Sequence, residues 1–122
     1  MSEQTIEFVR HLVEAFPALE EDYEDHVFNN GGETLPHVFA FMELMDAMVG
    51  AYLGQEEYRE LDWVAVLAYL DRQLAEGAPE VRGVIVTSFV DDLPSRDEPG
   101  HGLVEHLGPH LARAYAQKWP TS

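Results

Sequence analysis

Six histidines and 23 carboxylates make metal ligation and proton transfer the first chemistries to weigh in this 122-residue chain. Their spacing decides against both. No H-E-x-x-H occurs, and the one Glu-x-x-His pair, Glu98 and His101, is interrupted by Pro99-Gly100, which spoils a helical di-iron motif. His106 and His110 stand four apart, a chelating interval on one helix, but Gly108-Pro109 lies between them and breaks it. His101 would complete a three-histidine set only if the terminal segment folded back. We therefore expect no metal and no cofactor. His26 and His37 flank an Asn-Gly loop with Asp25 and Glu33 nearby, and a helical hairpin there would pair carboxylate with imidazole. His26, His37 and Glu33 form the best candidate polar site, with a loop-fixing hydrogen bond as the competing role.

Nucleophilic and phosphate chemistry find less support. Cysteine is absent, which removes thiolates, disulfides and cysteine-ligated metals. Ser88 lies between Val86 and Val90 instead of the glycines of G-x-S-x-G and reads as a small packing residue; Ser95 falls in a charged loop. The only lysine is Lys118, so no P-loop can be written, and Glu105 stands where Gly100-His101-Gly102 would need a third glycine. Two placed acids could serve glycoside hydrolysis, but a chain this short has little room for a sugar cleft. No catalytic residue is assigned, and the chain does not read as an enzyme.

Charge carries more information. The net formal charge is -16, of which residues 1–62 hold -13 and residues 63–122 hold -3. Such a field repels phosphate backbones and anionic lipid and accelerates encounter with a basic partner. The acids crowd at Glu20, Glu21, Asp22, Glu24 and Asp25 and again at Glu56, Glu57 and Glu60, the residues expected to bind that partner. Solubility alone is the competing account. Direct nucleic-acid binding is disfavoured, although a nucleic-acid mimic would carry the same face. Met1 to Arg10 lacks a basic segment followed by an apolar stretch, so no signal peptide is expected, and a cytoplasmic location follows.

The elements that position these residues are helical by their spacing. Ile6, Val9, Val13 and Phe16 predict a first helix from Glu3 to Phe16, capped by Ser2 and ended by Pro17. Leu19, Tyr23 and Val27 give a second its packing face, and Asn29-Asn30-Gly31-Gly32 ends it. Residues 35–53 predict a central, mostly buried helix with Thr34 as its cap and Pro36 in its first turn; Glu43, Asp46 and Gly50 mark its least apolar strip, and Met42, Met45 and Met48 its core. Two acids near its middle and no flanking Lys or Arg argue against a membrane span. Asp62 caps a helix bearing Trp63, Val66, Leu67, Leu70 and Leu74, which Gly77-Ala78-Pro79 stops. Val81 to Leu93 is rich in β-branched residues, yet Pro79-Glu80 and the rhythm of Val81, Val84, Ile85, Ser88 and Phe89 favour a helix paired with the one before it. Two short helices finish the chain around Gly108-Pro109. The expected fold is all-α, a single domain over 1–122 of about five to seven helices, with helical-hairpin, solenoid-like packing around helix 35–53. Two alternatives stay open: a small-ligand or metal-binding module centred on His26 and His37 or on the C-terminal histidines, and a homodimeric scaffold that uses spare apolar surface on that helix.

Three stretches carry a family resemblance: Gly32-Glu33-Thr34-Leu35-Pro36-His37-Val38-Phe39, Val81 to Pro94, and Leu107-Gly108-Pro109-His110-Leu111. From about Glu20 onward the chain resembles a family of small acidic bacterial proteins that form a domain of unknown function. Some members resemble immunity proteins of polymorphic toxin systems. The resemblance implies a helical fold and an immunity or antitoxin-like module that neutralises a basic, toxin-like protein.

Overall fold

Apolar residues three and four apart bury one stripe of each segment, and the computed structural model, which describes residues 3–119, has helices and no strand among them. Helix α1 spans Glu3–Ala15 and α2 spans Glu20–Asn29, with a 3₁₀ turn at Pro17–Leu19 between them. Helix α3 covers residues 36–52 and joins the α-helical Pro36–Phe39 and Met45–Tyr52 through a wide π turn at Ala40–Leu44. Helix α4 is Trp63–Glu76; α5 covers 79–90, with a π turn from Ile85 to Val90; α6 is Pro109–Lys118. Helix α3 touches α1, α2, α4 and α5, and α4 and α5 pack as the expected hairpin, so the central position of the apolar helix holds.

Several local expectations hold and several shift. Pro17, Pro36, Pro79 and Pro109 each sit at the first or second position of a helix, where the missing N–H removes no intrahelical bond. Asp62 caps α4, its Oδ1 accepting the Ala65 N–H at 3.1 Å. The buried stripe of α1 is Thr5, Phe8, Val9, Leu12 and Val13, which turns Ile6 and Phe16 to its edge. The Ser2 cap lies outside the described residues. Thr34 does not cap α3: Leu35 occupies the cap position without a side-chain bond, and the Thr34 hydroxyl pairs with that of Tyr23 at 2.7 Å. Met45 and Met48 are core residues as expected, but Met42 and its neighbour Phe41 are exposed, because α2 and α5 leave that side of α3 uncovered.

The last helix depends on a distant residue. Gly108 stands at the N-cap of α6 and has no side chain with which to satisfy the first amides. Asp71 of α4 does so instead, its Oδ1 accepting the N–H groups of His110 and Leu111, both at 2.9 Å. A Cβ on residue 108 would lie 2.5 Å from Asp71 Cγ, so glycine is what lets the carboxylate approach. Asp71→Ala should cost about 1–2 kcal/mol, the usual worth of a helix cap, and Gly108→Ala a similar amount by expelling the same carboxylate. Urea unfolding checks both: lower midpoints at unchanged slope are expected, and wild-type midpoints would remove the cap from the account.

Candidate functional site

Helix α2 carries acids at five of its ten positions, and its attachment fixes where they point. The fully buried His26 makes that attachment. Its Nε2 accepts the Leu35 N–H at 3.0 Å, which requires a lone pair there, so the proton sits on Nδ1 and is donated to Glu43 Oε1 at 3.1 Å. Asn30 Nδ2 donates to the His26 carbonyl at 2.7 Å, and Phe39 meets the imidazole edge-on. The second Glu43 oxygen is buried without a hydrogen-bond partner.

The expected polar site of His26, His37 and Glu33 is therefore replaced. Glu43, seventeen positions along the chain, is the acid beside His26, and Glu33 lies exposed in the loop. His37, exposed at the start of α3, bonds through Nδ1 to the buried Ser88 Oγ at 2.5 Å. Ser88 is the packed helix residue expected of it. Thr87 beside it donates to the Gly83 carbonyl at 2.7 Å, which competes with the regular ladder where α5 widens into its π turn. His101 Nδ1 donates to the Pro94 carbonyl at 2.9 Å, and the His106 ring packs on Trp63. Among the described residues no group of three or more His, Asp or Glu side chains could hold a metal ion.

The two acidic segments do meet. Asp22 lies one turn before His26 on the same face of α2, and Glu21, Asp22 and Asp25 line a cavity of about 250 Å³ together with Glu57 and Tyr58. No Lys, Arg or His lines it. The Tyr58 hydroxyl bonds to the Asp22 and Glu57 carboxylates; burial and then those two charges push its pKa up to about 12, so it remains a donor. Burial also raises the pKa of Asp22, the Tyr58 bond opposes this, and Glu21, Glu57 and Asp25 raise it further. The remaining expected residues are less free. Glu56 pairs with Arg59 at 3.0 Å, and Glu20 and Glu24 line a separate cavity with Arg10; Glu60 is exposed. Tyr58 and Glu43 were missed as site residues, and only for Tyr58 was there a signal, its place inside the acidic run 56–60.

A family model described as Domain of unknown function (DUF7674) matches residues 9–120, which takes in the second half of α1 as well as the stretch from Glu20 onward. No curated protein and no solved structure matches. No helix among the described residues is long and apolar enough to cross a membrane.

Asp22 also makes a stability test. Its folded pKa lies above the ordinary value, so below pH 3.8 the carboxyl is protonated folded or unfolded and carries no penalty. The penalty grows as pH rises through that range and is complete above the folded pKa. Asp22→Asn keeps an acceptor for Tyr58 while removing the charge, and should stabilise the protein at pH 7 by about 0.5 kcal/mol, the scale of part-exposed charge pairs. Thermal melts at pH 7 and pH 3 check the sign. A gain at pH 7 that disappears at pH 3 is expected; a loss at pH 7 would mean that attraction, not repulsion, governs the cluster.

Proposed function

The chain belongs to that family of unknown function, and we propose that it is an acidic protein-binding module, an immunity or antitoxin-like protein that neutralises a basic partner. The observation that carries this reading is the convergence of Glu21, Asp22, Asp25 and Glu57 on one cavity with no basic residue in its lining. Acids scattered only for solubility have no reason to gather around a half-buried Asp22 whose pKa burial and its acidic neighbours raise, an arrangement that works against folding. A guanidinium or ammonium group entering the cavity would relieve that repulsion, so the partner's binding stabilises what the free protein holds at a cost. The partner is a protein with a toxin-like basic surface, met in the cytoplasm.

Coexpression with the product of the adjacent gene tests the reading. A complex that copurifies at low salt and dissociates near 1 M salt, where the screening length falls to about 3 Å, is expected. Glu21→Gln, Asp25→Asn and Glu57→Gln together should weaken it by about tenfold or more. A neighbour that is neither toxic nor bound overturns the proposal.

A second reading, a homodimeric scaffold, is favoured by one observation, the exposure of Phe41 and Met42 at 40% and 48%. Light scattering at high protein concentration checks it. A dimer that Phe41→Ser converts to monomer supports it, and a monomer at every concentration removes it.

A further inference from the structure

Helix α3 and Leu53, which caps its C-terminus, place Asp46, Val49, Gly50 and Leu53 at intervals of three, one and three along one stripe. That stripe, the segment 92–99 and the Glu56–Tyr58 turn enclose a groove of about 580 Å³, whose wall on this side includes the apolar Met45, Val49 and Leu53. Leu53 is 45% exposed, an apolar side chain with water where a packing partner would fit. Four carboxylates line the same groove, Asp46 and Glu57 from one side and Asp92 and Glu98 from the other, all of them exposed and none accompanied there by Lys, Arg or His.

The walls are held by specific contacts. A Cβ on residue 50 would lie 2.5 Å from the Tyr58 ring and 2.8 Å from Gln55 Oε1, so Gly50 lets the Tyr58 ring lie against α3 and close the groove's end. Gly100, at φ +92°, brings the end of the opposite segment down on Val49, whose Cγ1 a Cβ there would approach to 2.9 Å. Glu98 accepts from both the backbone N–H and the hydroxyl of Ser95, at 2.9 and 3.0 Å, which shapes the loop. Asp91 is paired with Lys118 at 2.7 Å, whereas its neighbour Asp92 lines the groove.

Charge complementarity selects the occupant. A neutral apolar segment would dehydrate four carboxylates without replacing their hydrogen bonds, and an acidic one would be repelled. A purely cationic segment would leave Leu53 and Val49 in contact with its charges. We propose that the groove docks an amphipathic basic segment of a protein partner, with an aliphatic side chain set against Val49 and Leu53 and flanking Arg or Lys side chains on Asp46, Glu57 and Asp92. This inference rests on the acidic-module reading and adds the apolar half of recognition to it. The cavity around Asp22 shares Glu57 and Tyr58 with the groove, so one partner can engage both.

Fluorescence anisotropy with the full chain and two synthetic probes tests it: a peptide of leucine–arginine repeats and an oligolysine of equal charge. The leucine–arginine peptide should bind about tenfold more tightly, as burial of one or two aliphatic side chains implies. Leu53→Ser should remove most of that advantage while leaving oligolysine unaffected. Asp46→Asn and Asp92→Asn should each weaken the leucine–arginine peptide by about two- to threefold, and Glu7→Gln, on the exposed side of α1, should change nothing. Because Leu53, Asp46 and Asp92 are exposed, the variants should retain the wild-type melting profile, which circular dichroism verifies. Equal binding of the two probes, with Leu53→Ser silent, overturns the groove and leaves the acidic module standing. Binding of neither probe at low salt overturns both.

Discussion

The arrangement of the whole N-terminal half depends on one imidazole held in one tautomer. His26 accepts an amide proton from Leu35 and donates its own to Glu43, and so ties α2, the loop after it and α3 together from a site with no solvent access. Little else could serve. Helix α2 has Leu19 buried just before its start and only Tyr23 and Val27 half-buried within it, and its acids on successive turns repel one another. Such a helix is not stable alone. Its rotation about its own axis follows from the His26 bonds, and that rotation decides which carboxylates face solvent and which face Tyr58.

Asp22 is the consequence. One turn from His26, it is carried into contact with a tyrosine that lies on α3 only because residue 50 has no side chain. The phenol then acts as a neutral donor shared between two carboxylates, which softens their repulsion without cancelling their charge. A lysine at that position would have neutralised the pair and a leucine would have left both oxygens without a donor. Tyrosine keeps the cluster negative and tolerable, as the proposed encounter with a partner's cation would require.

How much of this was legible in the sequence depends on the range of each interaction. Proline boundaries, the Asp62 cap and the helical rhythm of Val81 to Leu93 involve residues within one turn of each other, and each is present, the last through the β-branched run Val84-Ile85-Val86-Thr87 but ending at Val90 instead of Leu93. Contacts across the fold were not legible. Asp71 caps a helix about forty positions away, and the acid for His26 came from Glu43 on the facing helix instead of Glu33 in the adjoining loop. Thr34 had the composition of a cap but lay within reach of Tyr23, and the side-chain bond won. The exposure of Phe41 and Met42 is of the same kind: a helix apolar nearly all round cannot declare which side its neighbours leave open.

The same limit applies to charge, and it changes how the acidity is to be understood. Counted along the chain, the second half is nearly balanced, and it reads as scaffold beside an acidic first half. Counted across the surface, Asp92 and Glu98 stand opposite Asp46 and Glu57, while Lys118 is spent on Asp91 and Arg59 on Glu56. Bases offset only the acids they reach, so a modest net charge in one half leaves room for a wholly acidic groove. Within that groove the two kinds of surface act on different steps. In the docking proposed above, carboxylates would steer a basic partner over a distance of about 10 Å at 0.1 M salt, whereas the apolar stripe of α3 would act only at contact and lengthen the stay once the segment had seated. Acidity by itself would bind many cationic proteins weakly. Joined to Val49 and Leu53, it would discriminate among them by what lies between their charges.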